Sequence, residues 1–177
     1  MAVVTEPLRA EHKELLPHIE RLRAVADSVG QVSPATLRQE VDKVYDFLAH
    51  HIIPHAEAEE RDLYPVVGRI MGSPEATATM SRDHVAIGHL VKALSTLRSK
   101  LTGEAVGASV ANDLRRVLYG LYTLLSVHFA KEEEIYLPLL DARLPSDEAQ
   151  RMFAQMHAVA KKAHGPFELR SNARVPR

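Results

Sequence analysis

The chain has 177 residues, the length of one domain with a short appendage, and its 46% hydrophobic content is enough for one substantial core. A net charge of −1 gives no electrostatic reason to expect nucleic acid or an anionic membrane as a partner. The absence of cysteine excludes disulfides, thiolate zinc sites, iron–sulfur clusters and a thiol nucleophile, so any metal must have nitrogen and oxygen ligands.

The N-terminal sequence becomes charged too soon for a signal peptide. The longest stretch without Asp, Glu, Lys or Arg covers residues 117–130, which is shorter than the ~18 residues that a membrane span needs. We therefore expect a cytoplasmic protein.

Five helices are predicted in chain order. Thr5 is expected to cap the first, which ends at Gly30, and Ser33 caps the second, which stops near Tyr64 and Pro65. The third begins between Ser73 and Ser81 and fades near residue 103. The fourth spans about 109–138 and ends by Pro138, and the fifth spans about 146–165.

Apolar residues recur at spacings of three and four along the first four helices, and no segment alternates with period two for long enough to predict a strand. The stripe of the fourth helix, for example, contains Leu114, Val117, Leu121, Leu124, His128, Glu132 and Ile135. Short connections favour antiparallel neighbours. We therefore predict an all-α protein: an up-down antiparallel four-helix bundle over residues 5–140, a fifth helix over 146–165 packed on it, and a flexible tail at 166–177.

Two prolines lie inside predicted helices. Pro17 falls in the first and Pro54 in the second, directly before His55. Each should kink its helix or mark a local break, at a cost of roughly 3 kcal/mol, because proline lacks the amide hydrogen that the helix requires.

An internal repeat relates the two halves of the chain. His12 precedes His55 by 43 residues, and His84 precedes His128 by 44. His55 and His128 are each followed four residues later by an acid and ten residues later by a proline. The chain therefore contains twice a helix with one histidine followed by a helix with His-x-x-x-Glu, and two such pairs make one four-helix bundle.

The repeated polar residues all fall on the apolar stripes, where a buried carboxylate is costly unless it is paired or coordinated. Four imidazoles and two carboxylates at one level of a bundle are the ligands that two adjacent metal ions require. A single histidine on an apolar face is more often a hydrogen-bonded core residue, and one His-x-x-x-Glu pair is also an ordinary helix-surface pair. The duplication favours a metal site, whose predicted ligands are His12, His55, Glu59, His84, His128 and Glu132.

Other acids and histidines lack this support and are interpreted as surface residues: Glu57, Glu60, Glu133, Glu134, His18, His50 and His164. In the fifth helix, Phe153, Met156 and Ala160 share a face that can pack on the core. His157 adjoins that face, and we expect that its replacement by alanine leaves the metal content unchanged.

The segments HAEAEERDLYP (55–65), DH (83–84) and HFAKEEEIYLP (128–138), with His12 before them, resemble the hemerythrin-like, or HHE cation-binding, family over roughly residues 5–140. The resemblance implies a non-haem centre of two iron ions inside a four-helix bundle, with water, oxide or another small species in the remaining positions. Matched position by position, it implies the same six ligands.

The chain also departs from the oxygen-carrying members of that family. Those have a second histidine one turn after the first on the third helix, where this chain has Gly88, and His89 should point elsewhere. Their last acid follows its histidine at five residues, whereas here Glu132 follows His128 at four. The pattern is similar to a bacterial branch associated with iron binding, peroxide decomposition and the sensing of oxygen species.

Three functions remain open from the sequence. The first is a di-iron protein that binds oxygen, peroxide or nitric oxide and decomposes peroxide, with Gly88 leaving one iron more accessible. The second is a sensor or iron-holding module whose fifth helix signals the metal state to a partner. The third is a structural metal site, since zinc also suits nitrogen and oxygen ligands. Tyr136, one turn beyond Glu132, is either a hydrogen-bond donor to a bound oxygen species or an ordinary tyrosine at the end of the bundle.

Overall fold

The structure, a computed structural model, describes residues 3–103 and 105–163, and within these ranges every regular element is helical. Three π-helical turns (Leu48–Ile52, Glu59–Leu63 and Glu132–Tyr136) and a 3₁₀ turn (Pro74–Thr77) adjoin the α-helices. The α-helices are α1 (Glu6–Ser28), α2 (Pro34–Phe47), α3 (Ile53–Ala58), α4 (Tyr64–Met71), α5 (Ala78–Arg98), α6 (Ala108–Lys131), α7 (Leu137–Arg143) and α8 (Ser146–Ala163).

The π turns join several α-helices into longer rods, so that the described residues form five helical segments, as the sequence predicts. Residues 34–71 make one rod from α2, α3 and α4, and residues 108–143 make another from α6 and α7. The expected end of the second helix near Pro65 and of the fourth at Pro138 was therefore wrong. The predicted end of the fifth helix at Gly165 lies outside the described residues, as does the predicted tail.

Each π turn ends two residues before a proline. Its closing hydrogen bond runs from the residue before the proline to the carbonyl five residues back: Ile53 to Leu48, Tyr64 to Glu59, and Leu137 to Glu132. A wider turn removes part of the clash between a proline ring and the preceding turn, so the helix continues where an α-helix would break. Pro17 lies on the exposed face of α1, and this helix runs past it as one α-helix, so the local break considered for Pro17 does not occur.

The two predicted N-caps differ. The Ser33 side chain accepts a hydrogen bond from the Thr36 amide at 3.1 Å, as expected. The Thr5 side chain makes no capping bond; its hydroxyl and its amide both donate to the Asp141 carboxylate at 3.0 Å. Thr5 therefore ties the start of α1 to α7.

Two apolar cores are separated by a polar layer. The first core contains buried residues of α1, α2, α5 and α6, from Leu15 to Phe129, and these helices contact one another as α1–α2, α2–α5, α5–α6 and α1–α6. The second core contains Leu8, Leu63, Met80 and Tyr136 together with residues of α8. The six predicted ligands lie between them along the chain: His12, for example, falls between Leu8 and Leu15.

The fifth segment, α8, packs on the second core through a wider face than predicted. Phe153 and Met156 are buried, as expected, and so are Ala149 and Met152. The side chain of Ala160 lies outside the described part of the chain. His157 is exposed, which agrees with its predicted place beside the packed face.

Candidate metal centre

The structure brings the six predicted ligands together in the polar layer. His12, His55, Glu59, His128 and Glu132 are buried, with at most 3% of the residue exposed. Ligand atoms of His12, His55, Glu59 and Glu132 lie within 4.8 Å of one another, and so do those of Glu59, His84 and His128. The two groups share Glu59, so the cluster is one site with two halves, which we name the His12–His55 half and the His84–His128 half.

Glu59 has one carboxylate oxygen in each half. Its Oε1 lies 3.0 Å from His55 Nε2 and 3.9 Å from His12 Nε2. Its Oε2 lies 3.2 Å from His84 Nε2 and 3.9 Å from His128 Nε2. This is the arrangement of a carboxylate that bridges two cations.

Glu132 also reaches both halves. Its Oε2 lies 3.6 Å from His12 Nε2, and its Oε1 lies 3.5 Å from His128 Nε2. Each half therefore has two imidazole nitrogens and one oxygen of Glu59, and Glu132 completes the group of the His12–His55 half. These nitrogen and oxygen donors suit iron, zinc and similar ions.

Several of the inward-facing atoms are buried without a hydrogen-bond partner: His12 Nε2, His55 Nε2, both oxygens of Glu59 and Oε2 of Glu132. Unpaired polar atoms in a protein interior are costly, and most native structures satisfy them. Nitrogen lone pairs and carboxylate oxygens that converge without donors fit a bound cation, which accepts all of them.

The pKa values of Glu59 and Glu132 also reflect how closely the charged groups of this site are packed. Burial opposes ionisation of Glu59, but the imidazoles of His55, His12 and His128 outweigh it and hold the pKa of this carboxyl well below its usual range. Burial and the charge of Glu59 raise the pKa of Glu132 well above its usual range. A cation between the two carboxylates would remove their repulsion.

Each of the four histidines in the cluster donates a hydrogen bond from Nδ1 to a carboxylate that lies outside the cluster, which we call an outer carboxylate. Glu11 lies 2.9 Å from His55 Nδ1, and Asp83 lies 3.2 Å from His128 Nδ1. Such bonds fix the tautomer and the orientation of a histidine ligand. The other two distances, both 2.7 Å, are from Glu60 to His84 Nδ1 and from Glu133 to His12 Nδ1.

These four pairs form a closed ring around the bundle. The first helical segment supplies Glu11 to the second, the second supplies Glu60 to the third, the third supplies Asp83 to the fourth, and the fourth supplies Glu133 back to the first. Two members are themselves paired with cations, Glu133 with Arg9 and Asp83 with Lys131. Orienting one histidine therefore depends on the packing of the adjacent segment.

Glu60 and Glu133 lie at the surface, as predicted, with side chains 39% and 31% exposed, but each is also hydrogen-bonded to a predicted ligand, which the sequence analysis missed. Glu57 and Glu134 are exposed, as predicted. The internal repeat carried the missed signal: an acid precedes both His12 and His84, and a second acid follows both Glu59 and Glu132.

Tyr64 is the tyrosine whose hydroxyl reaches the predicted ligands, whereas the sequence had suggested Tyr136 for this role. Its hydroxyl donates to Glu132 Oε1 at 2.9 Å and lies 3.4 Å from the Nε2 atoms of His84 and His128. Burial, with the charges of Glu59 and Glu132, raises the pKa of the phenol, so it stays protonated. Tyr136 instead donates to the Ala76 carbonyl at 3.1 Å.

The remaining predictions concern residues around the centre. Ile135 is 55% exposed rather than on the buried stripe, because the π turn at Glu132–Tyr136 shifts the helical phase. His18, His50 and His89 are exposed, as expected, whereas His164 lies outside the described residues. His51 is half-buried, and its ring stacks on Phe47.

The comparisons agree with this site. A model of the hemerythrin HHE cation binding domain matches residues 3–140, and the chain belongs to that family. No curated protein and no solved structure matches the chain. None of the described helices is long and apolar enough to cross a membrane.

Proposed function

We propose that the protein is a non-haem di-iron protein that binds a small oxygen species, namely O2, peroxide or nitric oxide, and decomposes hydrogen peroxide. The observation that carries the proposal is the pair of buried carboxylates, Glu59 and Glu132, each with one oxygen in either half of the centre. These two carboxylates would hold a pair of metal ions close enough together to share a two-electron change.

The proposal assigns His12 and His55 to one ion, His84 and His128 to the other, and both glutamates to the pair. It also takes the four helical segments that contribute ligands to form an up-down antiparallel bundle. Contacts between the second and third segments support opposite directions: Arg98 pairs with Asp42, near the start of the second, and His84 with Glu60, near its middle.

Two adjacent iron ions supply two-electron redox chemistry, which the disproportionation of two H2O2 into O2 and two H2O requires. Side chains of the protein around the metal ligands would orient those ligands, donate a hydrogen bond and exclude water. The outer carboxylates fix the imidazole tautomers. Tyr64 offers a hydroxyl beside His84 and His128, and Phe129 excludes water by stacking on His12 at 4.5 Å between ring centroids.

The experiment begins with elemental analysis and a visible spectrum of freshly purified protein, because oxo-bridged ferric pairs are coloured and zinc is not. Peroxide is then added to the iron form, the zinc form and His128→Ala while an electrode follows O2. We expect about two ions per chain, as in other two-metal sites, and O2 only from the iron form with an intact site. O2 evolution no faster than from free iron at the same concentration would refute peroxide decomposition.

A second candidate function is a sensor of oxygen or of iron, in which α8 transmits the state of the centre. It is favoured by Tyr64, which contacts the centre and belongs to the core on which Met152 and Phe153 of α8 pack. Iron binding without O2 evolution, together with a change in protease sensitivity of α8 on metal loading, would support the sensor over the enzyme.

A further inference from the structure

The two halves of the candidate centre differ in how tightly neighbouring side chains cover them. On the His12–His55 half, Phe129 packs against both imidazoles, with ring centroids 4.5 Å from His12 and 5.5 Å from His55. In the repeat, Phe129 follows His128 directly, and Ala56 follows His55 directly. The corresponding position on the other half therefore carries a methyl group in place of a phenyl ring.

Ala56 faces α5 by the same geometry that turns Phe129 towards α1. Phe129 lies one turn before Glu133, which reaches His12 on α1. Ala56 lies one turn before Glu60, which reaches His84 on α5. Residues one turn apart lie on one helix face, so Ala56 points towards the α5 interface.

Gly88 of α5 lies at the level of this position. Contacts between the two rods run in opposite directions, from Arg98 with Asp42 to His84 with Glu60, and this register places residue 88 opposite residues 54–56. A Cβ atom added to Gly88 would meet nothing within 4 Å. The equivalent position on α1 is Leu16, which is exposed, so the cover of the other half comes from Phe129.

The exposure of the predicted ligands also distinguishes the two halves. His84 has 9% of its side chain exposed, whereas the side chains of the other five predicted ligands are at most 3% exposed.

We propose that the gap between α3 and α5 at Ala56 and Gly88 is the opening through which a small ligand reaches the His84–His128 half of the centre. The proposal rests on the proposed metal-binding function. An alanine methyl and a glycine leave room for diatomic or triatomic species such as O2, nitric oxide, peroxide or azide. Tyr64, whose ring stacks on His84 at 5.4 Å between centroids, can donate a hydrogen bond to a ligand on this side.

The test narrows the opening and measures azide binding. Gly88→Leu should keep the fold, since leucine is more favourable than glycine in the interior of a helix. Iron content and thermal unfolding are measured first, and azide binding is then followed by stopped-flow absorbance. We expect unchanged iron content and an azide association rate at least about tenfold lower, which corresponds to a barrier higher by about 1.4 kcal/mol. Ala56→Val should act in the same direction.

A matched control separates the opening from general effects. Gly107→Leu makes the same change at the start of α6, where an added Cβ also meets nothing within 4 Å. This variant should bind azide at the wild-type rate.

If iron-loaded Gly88→Leu and Ala56→Val bind azide at the wild-type rate, the proposed opening is refuted, whereas the proposed metal centre is not. A wild-type protein that holds no metal, or holds iron but binds no azide, overturns the proposed function together with the opening. If Gly88→Leu loses iron, Gly88→Ala decides by the same comparison, with a smaller reduction expected.

Discussion

The two halves of the candidate centre share their ligands but differ in the residues around them. Each has two histidines and an oxygen of Glu59, and each histidine has an outer carboxylate. Glu132 groups with the His12–His55 half and reaches the other half at His128. Their neighbours diverge: Phe129 covers the His12–His55 half, whereas Tyr64 adjoins the His84–His128 half, beside which we propose the opening at Ala56 and Gly88.

This difference separates two requirements on the sequence. Holding two cations needs the same donors in both halves, so the repeat is retained at the ligands and at the outer acids. Admitting a ligand needs space on one side, and space depends on side-chain size rather than on donors. A duplicated metal site can therefore be symmetric in its ligands and asymmetric in its access.

The largest expected effect tests whether the halves are joined by Glu59. Glu59→Gln replaces a charged bridge by a neutral amide of the same size, and both halves lose an anionic oxygen. We expect loss of both ions, measured by elemental analysis after loading with excess iron. Glu134→Gln makes the same change at an exposed acid and should keep both. Retention of two ions by Glu59→Gln would show that the carboxylate is not a shared ligand.

An intermediate effect tests whether the outer carboxylates serve the two halves equally. Glu60→Gln should weaken binding of the ion near His84, and Glu133→Gln that of the ion near His12, each about 10–100-fold because the acceptor that orients the histidine loses its negative charge. Competition with a chromophoric chelator measures both affinities.

The matched control for the outer carboxylates is Glu57→Gln, an exposed acid of α3. If Glu60→Gln and Glu133→Gln lose no more metal affinity than this control, Glu60 and Glu133 do not support the metal ligands. A loss in one half alone would show that the ring of carboxylates is functionally unequal.

The smallest expected effect concerns the tyrosine that distinguishes the halves. Tyr64→Phe removes a hydrogen bond to Glu132, and such bonds contribute about 0.5–1.5 kcal/mol, so metal affinity should fall about two- to tenfold. Tyr136→Phe removes a bond to a backbone carbonyl away from the centre and should leave the affinity unchanged. If the two variants have equal metal affinities in chelator competition, Tyr64 does not contribute to metal binding.

Much of the site could be predicted because its residues combine a helical spacing with an internal repeat. Four histidines and two glutamates on apolar stripes are costly to bury unless a cation binds them, so spacing and burial together predict the cluster. The outer acids were missed because Glu60 and Glu133 lie one residue beyond the stripe, where an ideal helix faces solvent. They reach the centre through a histidine on the adjacent helical segment, and such a pairing has no signature within one helix.

The sequence by itself determined the all-helical class, the five helical segments and the set of residues that meet in the polar layer, because periodicity and burial cost act within each helix. Only the tertiary structure decided which tyrosine reaches the centre. Tyr64 follows Glu59 by five residues and Tyr136 follows Glu132 by four, and both lie in or after π turns that change the helical phase. The phase of a π turn depends on a proline that follows and on the packing that stabilises the wider turn. The opening that we propose beside Gly88 likewise depends on where two helices meet.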